Sequence, residues 1–405
     1  MLRNIVLVCD SSHLSGGAEK VAIMSAIGLR QKGFNVIFFS AKAPIDKSLI
    51  DSGVEVICLD QYDILTDPNR LRSIIQGVYN CKALFAFRKL FEKYGIRDTI
   101  VHFHGWTKAL SPVLFKVTKE YNLRIVITLH EFFTVCPNGG FFNYKESIIC
   151  QLYPLSINCL LCNCDARNYL QKIWRCLRFA YQRKLLYSNK YVNLISISNL
   201  TKNVVYPLLM NHIRKCYFLR NPIELNQKKH VDISRNDAYI FMARLSREKG
   251  ADLFCQAITD LGLKGYVLGD GYLMSELKSR YPNIHFTGWV QQEEREALIY
   301  KAKAFVFPSR WYEGAPLSII EMKSYGIPCI VPSHCAASEQ IVDGFTGFIF
   351  EMGSLNSLKK AILKYEESDI VQMQKNIYKS FNSTDYTLEN HIDNLIQIYE
   401  EIILE

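Results

Sequence analysis

Short apolar strands alternate with amphipathic helices along both halves of the chain. The first unit is a strand at residues 5–8, a polar turn, a helix that ends near Lys32 and a second strand at residues 35–40. After residue 237 five more strands alternate with helices, in AYIFMAR, GYVLGDG, IHFTGWV, KAFVFPS and PCIVPS. This alternation is typical of parallel sheets with helices on both faces. Because 405 residues exceed one ordinary hydrophobic core, the sequence predicts two doubly wound α/β domains.

The domain boundary is predicted at Asn221-Pro222 and the polar run ELNQKKHVDISRND, which has no apolar period. We expect a first domain over residues 1–222 with a Cys-rich insertion at 136–165, and a second domain over 223–382. In residues 383–405 the apolar positions at helical spacing are Leu388, Ile392, Leu395, Ile396, Tyr399 and Ile403. This face predicts a helix that crosses back to the first domain.

The chain has no run of eighteen apolar residues, and its start, MLRNIVLVCD, lacks the charged and long apolar regions of a signal peptide. Thirteen cysteines, scattered among apparent core strands, suit a reducing compartment. These observations predict a cytoplasmic protein without a disulfide framework.

Charge is distributed unevenly between the halves. Residues 1–222 hold 29 Lys and Arg against 14 Asp and Glu, a net +15, whereas residues 223–405 hold 19 against 25, a net −6. The segment YLQKIWRCLRFAYQRKLLYSNK mixes apolar side chains with the cations Lys172, Arg175, Arg178, Arg183, Lys184 and Lys190. A basic amphipathic helix of this kind can lie on an anionic leaflet, or it can simply pack one face on its domain. We expect peripheral contact with the inner face of the cytoplasmic membrane.

The segment RWYEGAPLSIIEMKSYGIPCIV holds Glu313 and Glu321 with seven residues between them. Its Gly-containing turn before a helix offers unpaired backbone N–H groups and a positive helix end to hydroxyls and phosphate. With these residues the sequence resembles the retaining nucleotide-sugar glycosyltransferases of family four, which have the GT-B fold. The resemblance covers almost the whole chain, is strongest from Tyr239 to Phe350, and extends to enzymes that build bacterial surface polysaccharides.

The resemblance implies a role for each residue of this segment. Glu313 would hold donor-sugar hydroxyls, and Glu321 would accept the ribose hydroxyls. The backbone that would hold sugar and phosphate is that of Gly314, Ala315, Pro316 and Leu317. The alternative is a pair of solvated helix glutamates.

The segment FMARLSREKGADLF places Arg244 at the end of a strand and Lys249 near the start of the next helix. Two cations there could neutralise a diphosphate and stabilise it as a leaving group, and the family has a basic pair at these positions. Arg247 is expected on the surface. The chain contains no D-x-D sequence, so a metal bridge to the diphosphate has no evident ligands. We therefore expect a metal-independent enzyme that requires no cofactor.

Three further segments resemble donor-binding turns of the family. The turn at Gly269 to Gly271 would let the chain pass close to the donor or to a neighbouring loop. Backbone groups near Trp289 and Val290 would cover the nucleobase, although Trp289 could equally pack in a core. The turn at Gly16 and Gly17 could approach phosphate or acceptor, or be a plain tight turn, and it lacks the G-x-G-x-x-G spacing of dinucleotide-binding proteins.

Histidines end two of the predicted strands. His130, in TLHEFF, lies where the family has a His followed by an acid, and the resemblance implies a contact with the donor sugar near the reaction centre. His104, in HFHGW, is a second cleft candidate at a strand end. His102 is expected on the opposite face of that strand and buried.

The Cys-rich insertion contains Cys136, Cys150, Cys159, Cys162 and Cys164. Cys159 and Cys162 have zinc-like spacing, and Cys136 and Cys150 could complete four thiolates, although a second C-x-x-C is missing. A structural zinc site and a packed, thiol-lined insertion therefore both remain open.

The sequence thus predicts a retaining glycosyltransferase that moves a sugar from a nucleotide-diphosphate donor to a saccharide or lipid-linked saccharide acceptor. A sugar-nucleotide epimerase or hydrolase of the same fold is an alternative, and so is a non-enzymatic binding subunit. Nucleic-acid binding is not expected, because the basic half carries no recognisable reader motif.

Overall fold

The computed structural model describes residues 2–95, 98–225 and 231–404 and arranges them in two α/β domains. Part of the predicted linker, residues 226–230, lies outside the described residues. In the first domain the strands are β1 (Asn4–Val8), β2 (Asn35–Ser40), β3 (Glu55–Cys58), β4 (Thr99–Phe103), β5 (Arg124–Thr128), β6 (Phe142–Asn143), β7 (Ile148–Ile149), β8 (Val192–Ser196) and β9 (Cys216–Phe218). Its helices are α1 (Gly17–Gln31), α2 (Lys47–Asp51), α3 (Arg70–Val78), α4 (Cys81–Tyr94), α5 (Leu114–Glu120), α6 (Ile157–Leu161), α7 (Tyr169–Tyr187) and α8 (Asn199–Leu209).

The second domain and the end of the chain continue the alternation. The strands are β10 (Ala238–Met242), β11 (Lys264–Leu268), β12 (His285–Gly288), β13 (Ala302–Val306), β14 (Cys329–Pro332) and β15 (Gly347–Phe350). The helices are α9 (Ala251–Asp260), α10 (Met274–Arg280), α11 (Gln292–Ile299), α12 (Leu317–Ser324), α13 (Leu355–Glu366), α14 (Ile370–Ser380) and α15 (Leu388–Leu404). None of the helices in the described residues is both long and apolar enough to cross a bilayer.

Each domain is built on a parallel sheet. The first sheet has the order β3-β2-β1-β4-β5-β8-β9 and the second β12-β11-β10-β13-β14-β15. The central strand β1 is buried on both faces, as expected for a strand covered by helices on either side. The predicted pair of doubly wound domains is confirmed, but the sequence reading missed β15, whose short GFIF run pairs with β14 at the sheet edge.

Helix α15 leaves the second domain and covers the first sheet, which confirms the predicted crossing. Its residues Ile392, Leu395 and Tyr399 share one apolar cluster with Ile5 of β1. Helix α1 approaches so closely that a Cβ on Gly28 would lie 2.5 Å from the Ile392 side chain. The first domain is thus completed by the last part of the chain.

Three cations of helix α7 that were predicted to face the membrane lie inside the domain instead. Lys172 and Arg178 are buried, and Arg175 pairs at 2.9 Å with the buried carboxylate of Asp165. Arg178 donates to the Thr107 carbonyl at 2.7 Å, and burial lowers its pKa to about 9. These three cations serve contacts inside the domain and cannot reach lipid headgroups. Of the six cations in this segment, Lys184 and Lys190 are exposed.

The cysteines of the insertion do not form the predicted zinc site. Cys136 donates to the Asn138 side chain at 3.2 Å, whereas Lys172 Nζ lies 3.5 Å from Cys159 Sγ and 3.1 Å from Cys164 Sγ. The ammonium group therefore occupies the place where a metal cation would meet these thiols. No group of three or more His, Cys, Asp or Glu in the described part of the chain could hold a metal ion. The prediction of zinc is therefore wrong for the set Cys136, Cys150, Cys159 and Cys162.

Candidate active site

The strand order reverses between β1 and β4 in the first sheet and between β10 and β13 in the second. Such switch points open a crevice at the carboxyl ends of the strands, where ligands of open α/β sheets bind. Asp10 follows β1 and His104 follows β4, whereas Arg244 follows β10. The two domains therefore each contribute residues at the position where a ligand crevice is expected.

The Asp10 carboxylate organises the first-domain side. Its two oxygens accept backbone hydrogen bonds from Lys108, Ala109 and Leu110 at 2.8 to 2.9 Å, which fixes the loop after β4. Burial raises the pKa of Asp10, whereas the three N–H donors lower it. Lys108 Nζ lies 3.6 Å from the buried carboxylate of Glu19. Sequence reasoning missed Asp10 and Lys108, although the position of Asp10 directly after β1 was a usable signal.

Three histidines line up beneath this loop. His104 Nδ1 lies 3.0 Å from His130 Nε2, and the His102 and His104 ring centroids are 4.2 Å apart. The prediction that His102 faces the opposite side is wrong, because residues two apart on a strand share a face. His102 is buried as expected, between Tyr399 and Thr128. Desolvation lowers the pKa of His130 to about 4 and places the pKa of His104 well below its usual value, so both imidazoles are neutral at pH 7.

Glu313 is the most strongly hydrogen-bonded of the predicted donor-side residues. Its Oε1 accepts from Lys249 Nζ at 2.7 Å, Trp311 Nε1 at 2.7 Å and Ser309 Oγ at 3.0 Å. The Lys249 ammonium also lies 5.2 Å from the Trp311 ring centroid. Three donors on one oxygen fix the carboxylate and bring two of the predicted site residues into direct contact.

Glu321 is paired with a residue that sequence reasoning missed. Arg295 on α11 donates both terminal nitrogens to the Glu321 carboxylate, at 3.0 and 2.9 Å. The two residues are 26 positions apart, so no local motif joins them. The bidentate geometry holds Glu321 in one orientation on α12.

Arg244 and Lys249 differ in their surroundings. The Arg244 side chain is 67% exposed and lies 3.7 Å from Glu248, so it is free to reorient toward a ligand. The loop that carries it rests on the predicted glycine turn, because a Cβ on Gly269 would lie 2.2 Å from the Ala243 carbonyl oxygen. Gly271 makes a similar approach to Leu245. The turn at Gly269 to Gly271 was expected to pass close to the donor or to a neighbouring loop, and the structure shows the close approach to the loop.

The turn that follows Glu313 meets the first domain. A Cβ on Gly314 would lie 3.1 Å from both the His130 carbonyl oxygen and an Ile197 methyl group. Residues Ala315 and Pro316 then lead into α12 at Leu317, whose N-terminus has no side-chain cap. The strand end that carries His130 and the turn that carries Glu313 therefore face each other across the cleft.

The remaining predicted residues lie at the edges of this region. Trp289 is 83% exposed, which excludes the core-packing alternative, and Val290 beside it is partly buried. Gly16 and Gly17 are exposed where α1 begins, again without a side-chain cap. A Cβ on Gly17 would meet no atom within 4 Å, whereas one on Gly16 would lie 2.9 Å from a Glu19 carboxylate oxygen, so the open space is beside Gly17.

The comparison of sequences identifies the second domain. Residues 223–381 match the family described as "Glycosyl transferases group 1". This domain belongs to the group 1 glycosyltransferases. The segment around Glu313, Gly314 and Glu321 lies within the matched range, and so do Arg244 and Lys249.

Relatives of this chain include an Escherichia coli UDP-Gal:alpha-D-GlcNAc-diphosphoundecaprenol alpha-1,3-galactosyltransferase, 24% identical over 34% of this chain. That alignment spans only 37% of the galactosyltransferase. An uncharacterised 41.2 kDa protein of the Klebsiella pneumoniae cps region is 24% identical over 70% of this chain and 80% of its own length.

Solved structures share the two-domain fold. A sucrose-phosphate synthase from Thermosynechococcus elongatus has a TM-score of 0.72 at 17% identity, with 99% of both chains covered. Anabaena HepE, solved in complex with UDP, has a TM-score of 0.66 at 13% identity over 99% of this chain and all of its own. At these identities the likeness establishes the GT-B fold alone.

Proposed function

We propose that this protein is a retaining glycosyltransferase that moves a sugar from a nucleoside-diphosphate sugar to a saccharide acceptor of surface-polysaccharide biosynthesis. The observation that carries the proposal is the Lys249–Glu313 pair, fixed by Ser309 and Trp311 at the turn that faces His130. UDP-sugars are the first donors to test, because the E. coli relative is named for UDP-Gal and HepE binds UDP.

In the proposed reaction the acceptor hydroxyl oxygen attacks the anomeric carbon on the face from which the diphosphate departs. The bond from the anomeric carbon to the phosphate oxygen breaks, a new glycosidic bond forms, and the hydroxyl proton passes to the departing phosphate. Arg244, Lys249 and the N-terminus of α12 stabilise the negative charge that develops on the diphosphate. This set of cations serves the role that a metal bridge has in other glycosyltransferases.

The other predicted residues have binding roles in this proposal. Glu313 and the backbone of the following turn hold the donor-sugar hydroxyls, and Glu321, oriented by Arg295, accepts the ribose hydroxyls. The neutral imidazole of His130 can hydrogen-bond to the sugar but, with a pKa of about 4, cannot donate a proton as an imidazolium at pH 7. Trp289 and Val290 lie beside the nucleobase.

We also propose that the protein works peripherally at the inner face of the cytoplasmic membrane, where a lipid-linked acceptor is available. The first half of the chain has a net charge of +15, which would attract it to an anionic leaflet. Because Lys172 and Arg178 of α7 are buried, this attraction depends on Lys184, Lys190 and other exposed cations of the first domain.

Release of UDP from UDP-galactose, UDP-glucose and UDP-N-acetylglucosamine tests the proposal, measured with and without N-acetylglucosaminyl-diphosphoundecaprenol. The transferase is expected to release UDP in proportion to glycosylated product and to lose that activity in a Glu313→Gln variant. Turnover that ignores the acceptor would instead identify a hydrolase or epimerase. Binding of none of these nucleotide sugars in a thermal-shift assay would contradict the choice of donor class.

A further inference from the structure

Helix α3 is oriented with its apolar side toward solvent. Its buried residues are Ser73 and Gly77, whereas Leu71, Ile74 and Ile75 are 75%, 49% and 64% exposed. A surface helix of a globular domain normally buries such a stripe of aliphatic residues. Three large aliphatic side chains on one exposed helical face therefore indicate an apolar ligand or surface.

This orientation is fixed by helix α7. A Cβ on Gly77 would lie 2.5 Å from the Trp174 ring, so glycine is needed for the two helices to approach. Trp174 Nε1 also donates to the Ile74 carbonyl at 3.1 Å. The Ser73 and Gly77 side of α3 is consequently held against the domain, and rotation of the Leu and Ile residues inward is blocked.

A groove of about 560 Å³ runs between α3 and the start of α7, a volume in the range of ligand sites. Its apolar lining comes from Ile64, Leu65, Ile74, Leu170 and Trp174. Leu170 is 80% exposed and Leu65 is 46% exposed at the rim. The groove is thus open along one side and mostly apolar within.

Cations accompany this apolar lining. Arg70 donates to the Leu65 carbonyl and Arg167 to the Gln171 side-chain oxygen, and both residues line the groove. Within the residues that the structure describes, neither forms an ion pair with a carboxylate. An apolar channel beside two unpaired guanidinium groups matches a ligand with a hydrocarbon chain and a phosphate group.

The groove adjoins the candidate active site. The backbone N–H of Ile64, on the groove wall, donates to the Lys108 carbonyl at 2.9 Å, and Lys108 lines the cleft beside His130. On the other wall, the Arg178 guanidinium lies 4.9 Å from the Trp174 ring centroid and holds the Thr107 carbonyl, also at the cleft. One layer of residues therefore separates the two sites.

We propose that this groove binds the hydrocarbon chain of a polyprenyl-diphosphate-linked acceptor, with Arg70 and Arg167 facing its diphosphate and its saccharide directed into the cleft. The inference rests on the proposed glycosyltransfer and specifies the acceptor class for the same site. The exposed residues of α3 place the groove opening against the lipid phase from which such an acceptor comes.

Binding of fluorescent undecaprenyl diphosphate in neutral detergent micelles tests the inference without any sugar donor. A double variant, Ile74→Gln with Leu170→Gln, is expected to weaken binding at least tenfold. Its matched control is Leu363→Gln with Val371→Gln, which changes two exposed aliphatic residues of the second domain and should bind like the wild type. Because these positions are exposed, all variants are expected to fold, and circular dichroism checks this. UDP binding, measured in parallel, should be equal in all three proteins.

Each outcome distinguishes a different occupant of the surface. Equal affinity of wild type and groove variant for undecaprenyl diphosphate overturns the proposal. If the groove variant loses binding to phosphatidylglycerol vesicles but still binds undecaprenyl diphosphate in micelles, the proposal is also overturned, and the surface is instead a contact with the bilayer. A dimer in sedimentation that the groove variant dissociates assigns the face to a second copy of the chain and overturns it too. Failure of the glycosyltransferase proposal appears separately, as absent UDP binding in every protein.

Discussion

Lys249 Nζ lies 2.7 Å from Glu313 Oε1, in a contact that joins the segment just before α9 to the turn before α12. The two residues are 64 positions apart in the chain. The Lys249 side chain is 18% exposed and that of Glu313 is 11% exposed, so the pair is shielded but reachable. A ligand that enters the cleft meets a cation whose position is already set by the carboxylate.

We expect Lys249→Met to weaken UDP binding roughly ten- to a hundredfold, because a charge-assisted contact to a charged group contributes about 1.5–3 kcal/mol. Glu313 keeps its Ser309 and Trp311 donors in this variant, so the fold should survive. Titration calorimetry with UDP measures the change. Lys359→Met, which removes a surface pair with Asp260 in the same domain, is the control and should bind UDP normally. Equal affinities of both variants would remove Lys249 from the diphosphate site.

Arg244→Ala should lower kcat/KM for the donor by a similar factor of about ten to a hundred. The reason is that this exposed side chain has only a distant carboxylate contact at 3.7 Å and is available to the diphosphate. Arg247→Ala is a close control, since Arg247 is also exposed and lies three residues away. Steady-state kinetics of the two variants gives the comparison, and a matched loss in both would point to general electrostatics rather than a specific contact.

Activity should survive incubation with EDTA, because the proposed leaving-group stabilisation depends on Arg244, Lys249 and a helix N-terminus. The measurement is UDP release before and after chelation, followed by addition of magnesium or manganese. An enzyme that stops with EDTA and recovers with either metal would disprove this mode of donor binding. Thermal stability should also be unchanged by EDTA, since Lys172 occupies the centre of the thiol cluster.

Stability should fall as the pH drops from 6.5 toward 4. His130 has its folded-state pKa lowered by desolvation to about 4, so between these values the unfolded chain takes up a proton that the folded chain does not. This difference destabilises the fold by up to roughly 3 kcal/mol for such a group, and His104 is shifted in the same direction. Thermal unfolding across this range measures the effect. His130→Gln should reduce the pH dependence without removing it, because His104 keeps its lowered pKa, and an unchanged slope would show that other groups cause it.

The Cys159 thiol is expected to ionise at a lower pH than an ordinary cysteine thiol. Hydrogen bonding from Cys176, together with the nearby Lys172 ammonium, lowers the pKa of Cys159 below that of an ordinary thiol. Ultraviolet absorbance of the thiolate, titrated against pH, reports this ionisation. Lys172→Met should raise the pKa and reduce the absorbance at pH 7, whereas Cys159→Ser should abolish it. A titration that Lys172→Met leaves in place would show that the ammonium does not stabilise the thiolate.

The sequence predicted the fold class well because strand and helix periodicities are local. The strands near residues 5, 35 and 240 are continuous apolar runs, and each appears in the structure. The edge strand β15 was missed because GFIF has only four residues, and so short an apolar run between turns shows no clear strand pattern. The contact of α15 with α1 was predictable from its unpartnered apolar face.

Side-chain environments were harder to predict, because they depend on residues distant in sequence. Lys172 and Arg178 look like solvent-facing cations of an amphipathic helix, yet thiols and a carbonyl group receive them inside the domain. Arg295 gave no signal because its partner Glu321 lies on another helix. The outward Leu and Ile residues of α3 have an ordinary helical pattern, and only the positions of Ser73 and Gly77 reveal which side is buried.

The position of α15 has a consequence for synthesis of the chain. The first sheet receives Leu395 and Tyr399 in its core, but a ribosome makes these residues after the whole second domain. Part of the apolar surface of the nascent first domain therefore stays uncovered until α15 has been made. The residues of the second domain's own core are complete before that point. Domains normally fold in order from the amino terminus. In this protein the domain that is made first cannot complete its core until the last helix has been made.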